Sequence, residues 1–394
     1  TQVPFHCRRT IAHALGLPKS MVRVVKPRIG GGFGAKQTLV SELFPALVTL
    51  RTGKPAKIIY TRKESFQASN SRHQMRIRVK VGAMRDGTIK AVDMQTLSNA
   101  GAYGEHAATT VKLSGHKSIP IYARQAAFRF SWNVVYTNTM AAGAFRGYGA
   151  TQGCFAMESA VNELAEKLNM DPAQLRLRNL PHVGERMPAY YNEPLTSCNL
   201  SQCIERGMEM IGWKEKYPCV KVDDHRVRGV GMAVTMQGSC ISNIDTASAT
   251  IRLNDDGFYT LMIGATDMGT GCDTILAQMA AEVLNCPMDR ITVDGVDTDH
   301  SPFDTGSYAS STTYITGAAV VKACTELNEK ITAEGARRLN IHPERAEFDG
   351  DKVYDRTNPE TFITLDKLAQ GLVVGVGTQW LTATASRCSP TSPP

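Results

Sequence analysis

Four short segments combine glycine or hydroxyl side chains with groups that can hold an anion. Their sequences are GGGFGAKQ at 30–37, FRGYG at 145–149, DMGTG at 267–271 and SYASSTT at 307–313. Glycine lets a ligand approach the backbone and adopts positive φ at little cost. The N–H groups that open a helix attract negative charge. The first segment is therefore predicted to bind the phosphate or dithiolene end of a large anionic cofactor.

The first segment also fits other patterns. Gly30, Gly32 and Ala35 match the G-x-G-x-x-A fingerprint of dinucleotide-binding folds, and Arg62 could contact the 2′-phosphate of NADP. A P-loop does not fit, because Lys36 is followed by glutamine and the glycines are misplaced. A tight turn that joins a sheet to a helix without any ligand is a third interpretation.

The other segments indicate binding more clearly than catalysis. Arg146 offers a rigid fork for a phosphate or a carbonyl-rich ring, and Tyr148 could stack on a planar ligand. A surface turn with core aromatics explains the same residues without a ligand, and ordinary N-capping explains most of the Ser and Thr residues. We find no nucleophile–base pair, and no carboxylate stands in a motif that marks a general base.

Composition narrows the class of protein. The chain has 394 residues, 42% hydrophobic and 21% charged, which is typical of a globular protein with two or more domains. The net charge of +7 is not concentrated in a basic block, which argues against nucleic acid. The sequence has no run of about 18 apolar residues, so it does not predict a membrane span. Ten cysteines without a CxxC pair predict reduced thiols and a cytoplasmic location rather than an internal iron–sulfur or zinc site.

Strand and helix patterns flank the candidate loops, so a strand–loop–helix order occurs three times. Asp171 and Pro172 predict the N-cap and first residue of one helix. Helices are predicted at 8–16, 38–49, 155–168, 171–177, 203–211, 274–284 and 317–327. Strands are predicted at 22–25, 57–60, on both sides of the turn 85–87 within 76–99, and at 128–136, 229–236, 247–253 and 259–263.

These elements predict an α+β fold of two mixed α/β sub-domains with the cofactor between them. The polar segment 214–228 marks the boundary, so the sub-domains are predicted at 1–215 and 216–378. Residues 379–394 are rich in Ala, Thr, Ser and Pro and are predicted to form a disordered tail.

Taken together and in this order, the four segments resemble the molybdenum-binding subunit of the xanthine dehydrogenase and aldehyde oxidase family, the molybdenum hydroxylases. The resemblance runs from residue 1 to about 322, and more loosely to about 377. The local sequence around Thr270 and Cys272 is similar to that of the bacterial, multi-subunit branch of the family. The resemblance implies a molybdopterin-binding fold with molybdenum, and in bacterial members the cofactor is molybdopterin cytosine dinucleotide.

The resemblance also implies roles for individual residues. Gln2, Phe33 and Arg146 would lie near the molybdenum, with Gln2 beside its apical oxo ligand. Gln37 and Tyr148 would bind substrate, Tyr148 by stacking; Gln37 replaces a glutamate of purine-oxidising members. The remaining cofactor contacts would be Gly32, Gly34, Gly269, Thr270, Tyr308, Ala309 and Ser310.

The implied reaction is the hydroxylation of a purine-like N-heterocycle, xanthine or hypoxanthine first, with water as oxygen source. Nicotinate-type and aldehyde substrates are alternatives within the family. FAD and 2Fe-2S clusters are expected on a FAD subunit and an iron–sulfur subunit. The family's catalytic glutamate lies near the family's C-terminus and follows a Gly-x-Gly pattern. Gly375 and Gly377 come far too early in the chain to be that pattern and are followed by Thr378, so the resemblance implies that the general-base glutamate is not in this chain. We therefore expect a fragment that is inactive alone; an NADP-dependent oxidoreductase and an inactive remnant are the other hypotheses.

Overall fold

The computed structural model describes residues 1–122, 127–374 and 379–390. Its helices are α1 (Pro4–Leu15), α2 (Leu43–Thr52), α3 (Arg62–Ala68), α4 (Ala107–His116), α5 (Ala150–Leu168), α6 (Pro172–Asn179), α7 (Leu200–Ile211), α8 (Trp213–Lys216), α9 (Cys272–Leu284), α10 (Thr312–Leu339) and α11 (Leu365–Val373). Its strands are β1 (Gln74–Ala83), β2 (Ile89–Gly101), β3 (Ala127–Tyr136), β4 (Arg186–Met187), β5 (Glu193–Pro194), β6 (Cys219–Lys221), β7 (Val227–Gly229), β8 (Thr246–Leu253), β9 (Tyr259–Ile263), β10 (Ile291–Asp294), β11 (Ala346–Phe348), β12 (Lys352–Asp355), β13 (Asn358–Thr364) and β14 (Thr382–Cys388).

The chain forms two compact units, and the α+β prediction is confirmed. Unit 1 is discontinuous and consists of residues 1–61 and 238–394, whereas unit 2 is the continuous stretch 62–237. This division differs from the predicted sub-domains, because the first 61 residues join the C-terminal part of the chain. Composition along the chain does not reveal that an N-terminal segment packs with a distant C-terminal one.

Unit 2 is built on a three-stranded sheet in the order β1-β2-β3, with β2 antiparallel to β1 and parallel to β3. Gly87 turns the hairpin at φ 87°, and the Asp86 carboxylate accepts the Thr88 N–H at 3.0 Å. This is the hairpin that the sequence predicts. Helices α4 and α5 cross so closely that a Cβ on Gly153 would lie 1.8 Å from the Ser114 carbonyl oxygen.

A buried charged network ties the helices of unit 2 together. The Glu158 carboxylate of α5 accepts hydrogen bonds from Arg176 Nε at 2.8 Å, from the Val234 N–H at 2.7 Å and from the Tyr122 hydroxyl. Both Glu158 and Arg176 are buried. The predicted strand at 229–236 is wrong beyond Gly229, and the Val234 N–H bonds this side chain instead of a neighbouring strand.

Unit 1 is built on a four-stranded sheet in the order β10-β9-β8-β14, in which only β9 and β10 are parallel. Apolar residues of β8 and β9 form a core with one face of α9 and of the 28-residue helix α10. A second sheet, β11-β12-β13, and α11 extend this core. The loops that precede α9 and α10 are the third and fourth candidate segments.

The predicted disordered tail is wrong for residues 382–388, which form β14 against β8. Ala383 and Ala385 are buried, while Thr384 and Ser386 pair their hydroxyl groups with Thr250 and Ser248 at 2.9 Å. Small residues that alternate in this way suit a strand, although their low hydrophobicity resembles that of a disordered tail. Residues 391–394 lie outside the described part of the chain.

Two predicted strands in unit 1 are also wrong. Within 22–25, Val25 makes only an isolated bridge with Asp297, and 57–60 forms no strand among the described residues. Both segments are rich in β-branched residues, but a strand also needs a partner along its length. None of the helices in the described ranges is long and apolar enough to cross a membrane.

Candidate functional site

The first candidate segment forms a curled loop in unit 1. Gly31, Phe33 and Gly34 have φ values of 88°, 52° and 89°. The Gly31 N–H donates to the Met268 carbonyl at 2.8 Å, which joins this loop to the third candidate segment. Phe33 is unusual because a non-glycine residue with positive φ is strained, and 58% of its surface is nevertheless exposed.

Gln2 joins the first loop to the fourth. Its N–H donates to the Lys36 carbonyl at 3.0 Å, and its side-chain Nε2 donates to the Ser307 carbonyl at 2.7 Å. Only 1% of Gln2 is exposed, yet its Oε1 has no hydrogen-bond partner in the part of the chain that the structure describes. A buried carbonyl of this kind is costly unless a ligand or water donates to it.

Gly32 lies directly against this carbonyl. A Cβ built on Gly32 would be 2.7 Å from Gln2 Oε1 and 2.2 Å from Met268 Sδ. A side chain at this position would therefore force Gln2 and Met268 to move. Close approach, and not the backbone angles, favours glycine here, because a larger residue would displace the ends of these two side chains.

The loop before α9 is shaped by one carboxylate. Asp267 accepts the N–H groups of Gly269, Gly271 and Asp273 at 2.9, 3.3 and 3.2 Å. Partial burial raises the pKa of Asp267, but these three donors outweigh it and leave the pKa below its ordinary value. Asp267, Cys272 and Asp273 lie close enough to hold a metal ion. Because Asp267 already accepts these donors and Asp273 pairs with Lys26 Nζ at 3.2 Å, the cluster is explained without a metal.

The loop before α10 is held by a buried carboxylate, Asp304. It accepts the Gly306 N–H at 2.7 Å and the Thr316 hydroxyl at 3.0 Å. Burial raises the pKa of Asp304 to about 6. Ala309 and Ser310 follow with φ values of 49° and 54°, two successive strained residues directly before the helix.

The predicted residues of unit 1 thus lie on loops that touch one another. Gln2 Oε1 lies 2.7 Å from the position that a Cβ on Gly32 would take, Gly269 and Thr270 follow Met268, and the last group follows Ser307. That group is Tyr308, Ala309 and Ser310. Gln37, predicted to bind substrate, donates its N–H to the Gly34 carbonyl at 3.1 Å at the end of the first loop.

The second candidate segment lies in unit 2, at the start of α5. The Tyr148 hydroxyl lies 2.6 Å from His106 Nδ1 and 2.8 Å from the Thr109 hydroxyl. Burial raises the pKa of Tyr148, so the phenol is protonated at neutral pH. Arg72 donates to the Arg146 carbonyl, and its guanidinium lies 4.9 Å from the centroid of the Phe145 ring. This segment is therefore anchored to its own unit at both ends.

The sequence analysis includes Met268 and Ser307 in candidate segments without giving either a role, and it does not single out Asp304 or Arg72. All four residues hold the loops in place. Their residue types are common, and their partners are far away in the chain. Ser307 and Asp304 stand inside or beside a predicted loop, and that position was the only local signal. Residues 375–378, which contain the Gly-x-Gly sequence, lie outside the described residues.

The geometry of the first loop does not match a dinucleotide-binding unit. Such a unit needs a strand that runs directly into the glycine turn and a helix that starts within it. Here only Val25 makes a β-bridge before the turn, and α2 begins at Leu43, well after Gln37. The NADP hypothesis therefore loses its structural basis.

Comparison with known proteins gives two family matches. Residues 1–180 match the family model of a molybdopterin cofactor-binding domain, and residues 206–390 match a second model of the same description. The probable hypoxanthine oxidase XdhD of Escherichia coli K12 is 40% identical over 86% of this chain and 36% of its own length. The putative xanthine dehydrogenase molybdenum-binding subunit XdhA of the same strain is 38% identical over 86% of this chain and 46% of its own length.

The chain therefore spans less than half the length of these curated relatives. Among solved structures, the aldehyde oxidoreductase of Desulfovibrio gigas has a TM-score of 0.81 at 25% identity, covering 98% of this chain and 39% of that one. Quinoline 2-oxidoreductase from Pseudomonas putida 86 has a TM-score of 0.81 at 23% identity, over 100% of this chain and 52% of that one. The second likeness shows a shared fold.

Proposed function

This chain belongs to the family of molybdopterin cofactor-binding domains, and we propose that it forms the cofactor-binding part of a molybdenum hydroxylase. One observation carries the proposal. Gln2, Gly32 and the loops at 268 and 307 meet within unit 1, around a buried carbonyl that has no partner among the described residues.

The residues present fit such a cofactor. The partnerless Gln2 Oε1 can accept a hydrogen bond from it, and the missing Cβ of Gly32 lets Gln2 and Met268 pack close to the backbone of the first loop. The N-terminus of α10 opens from the fourth loop without a side-chain cap, which suits a phosphate oxygen. At the start of α9 the Asp267 carboxylate already accepts the N–H groups of Gly271 and Asp273. When bound, the molybdenum–pterin group would supply the oxidation chemistry that hydroxylates a carbon with water as oxygen source.

In this proposal the chain binds and orients. Gly32, Phe33 and Gly34 contact the cofactor through the backbone of the first loop, beside Gln2. Gly269 and Thr270 hold its pterin and phosphates. Tyr308, Ala309 and Ser310 do the same from the fourth loop. Arg146, in the second segment, is assigned to cofactor binding.

We further assign the substrate to the class of purine-like N-heterocycles. The relatives at 40% and 38% identity are named for hypoxanthine and xanthine, which supports a purine over an aldehyde. Tyr148 would contact the ring by stacking, and the Gln37 amide could hydrogen-bond a heterocycle. We also propose the cytosine dinucleotide form of the cofactor, FAD and iron–sulfur partner subunits, and a cytoplasmic location.

The test is cofactor content after expression in a bacterial host that makes molybdopterin. Molybdenum is measured by mass spectrometry, and pterin by the fluorescence of its oxidised form. The parent chain is expected to contain both. Gly32→Ala should lose most of both, because its Cβ displaces Gln2 Oε1 and Met268 Sδ.

Gly30→Ala is the matched control in the same loop. Gly30 does not need positive φ, and nothing lies within 4 Å of a Cβ built on it, so this variant should retain the cofactor. A parent protein that is folded but free of molybdenum and pterin would contradict the proposal. Equal cofactor content in the two variants would show that cofactor binding does not depend on glycine at position 32.

A further inference from the structure

Two residues of unit 2 with unusual backbone angles bond to each other through their side chains. His106 lies directly before α4 with φ 53°, and Tyr148 lies two residues before α5 with φ 42°. Positive φ is uncommon outside glycine, and residues held in this way cluster at functional sites. The Tyr148 hydroxyl lies 2.6 Å from His106 Nδ1, and the planes of the two rings meet at 81°.

A third residue sets the direction of these hydrogen bonds. The Thr109 hydroxyl lies 2.8 Å from the Tyr148 hydroxyl, and it donates to the His106 carbonyl at 3.1 Å. Because a hydroxyl group has only one proton, Thr109 then accepts from Tyr148, and Tyr148 accepts from His106 Nδ1–H. The three hydrogen bonds form a closed circuit that begins and ends on His106. The phenol is therefore held both as a donor and as an acceptor.

Close backbone packing brings these side chains together. A Cβ on Gly149 would lie 2.0 Å from the carbonyl oxygen of Thr110, so the turn that contains Tyr148 packs directly against the first turn of α4. This contact fixes where the Tyr148 side chain begins, but not its rotation about its side-chain bonds. The hydrogen bonds to His106 and Thr109 select one of the rotamers that remain.

Both bonds reach Tyr148 at its hydroxyl, on the edge of the ring, so they occupy neither face. We propose that His106 is a positioning residue that, together with Thr109, fixes the angle of the Tyr148 ring for stacking on a planar N-heterocycle. This inference rests on the proposed function, in which Tyr148 contacts the substrate. His106 does not touch the substrate in this account; it acts through the phenol that it holds.

The experiment measures the dissociation constant of hypoxanthine for the cofactor-loaded complete subunit by equilibrium dialysis. His106→Gly removes the imidazole and suits the positive φ, whereas Tyr148→Phe removes the hydroxyl and keeps the ring. Each variant should bind about fivefold more weakly than the parent, because each loses about one hydrogen bond. The double variant should also be only about fivefold weaker, because both changes break the same bond. Two independent structural defects would instead multiply to about 25-fold.

Two matched controls accompany this comparison. His106→Asn should stay within about twofold of the parent, because asparagine tolerates positive φ and its Nδ2 can donate in place of Nδ1. Tyr190→Phe removes another tyrosine hydroxyl of unit 2, one that accepts from Lys117 Nζ at 3.0 Å, and should also stay within about twofold. If His106→Gly does not fold, Thr109→Val at an exposed position replaces it in the comparison with Tyr148→Phe.

The outcomes separate this inference from the proposed function. If the parent does not bind hypoxanthine, or if Tyr148→Ala binds it as tightly as the parent, the proposed substrate contact is wrong and this inference falls with it. If Tyr148→Ala weakens binding but His106→Gly does not, only the positioning role of His106 is overturned. Losses that multiply in the double variant overturn the same role.

Discussion

Asp304→Asn changes the charge of a buried residue while keeping its shape. The asparagine oxygen can still accept the Gly306 N–H, and its amide nitrogen can donate to the Thr316 hydroxyl, which then reverses its role. We expect the variant to be more stable than the parent at neutral pH and to lose that advantage in acid. The reason is that burial, reinforced by the nearby Asp245, makes the Asp304 carboxylate costly.

The size of the effect follows from the pKa. Burial raises the pKa of Asp304 to about 6 in the folded protein. An unfolded aspartate titrates near pH ~3.9, and each unit of difference corresponds to about 1.4 kcal/mol. The charge therefore costs the folded state about 3 kcal/mol above pH ~6, and nothing below pH ~4, where both states are protonated.

The assay is urea unfolding of the parent and the variant at several pH values from about 4 to 8. The stability difference in favour of Asp304→Asn should grow as the pH rises through this window and then level off. Asp355→Asn serves as a control of opposite sign, because its hydrogen bond with Arg345 holds the pKa of Asp355 at about 2. That variant should already be less stable than the parent at pH ~4, and the difference should stay nearly constant up to pH ~8, because the lowered pKa of Asp355 changes stability only between about pH 2 and ~4. A pH-independent difference for Asp304→Asn would refute the argument.

Two further predictions concern unit 2. Glu158→Gln should destabilise the protein by about 3–5 kcal/mol in urea unfolding, because it leaves the buried Arg176 guanidinium without its counter-charge; an effect below about 1 kcal/mol would mean that the network is not a buried ion pair. Tyr148→Ala in a complete subunit should weaken substrate binding more than it lowers molybdenum content, and equal losses of both would argue against stacking.

Local signals were sufficient for part of the fold. The Asp86-Gly87 turn between alternating strands predicted the β1–β2 hairpin, and the predicted strand 259–263 has the bounds of β9. Asp171 caps α6 as expected, accepting the N–H groups of Ala173 and Gln174. In each case the neighbours that stabilise the element are close in sequence.

Signals that depend on distant partners were not readable. The segments at 22–25, 57–60 and 229–236 have strand composition but lack a full partner strand, while β14 has tail-like composition and finds one in β8. Unit 1 could not be predicted for the same reason, because its two segments are far apart in the chain. Strand pairing between distant segments is decided by the fold as a whole and not by the residues of one segment.

The candidate site shows the same division. The loops could be found from their glycines and hydroxyl groups, because those residue types suit close backbone approach. How they meet could not, since Gln2 and Ser307 are 305 residues apart in the chain. The residues that hold the loops together use ordinary backbone and serine hydrogen bonds, which leave no local pattern.

A crystal structure of the protein loaded with its cofactor would show whether the loops of unit 1 form the cofactor site. We predict electron density for a molybdenum–pterin group in contact with Gln2, with the Gly32 backbone and with the loop that follows Ser307. Density for the cofactor on another surface, with Gln2 Oε1 bonded to a protein group instead, would contradict the account.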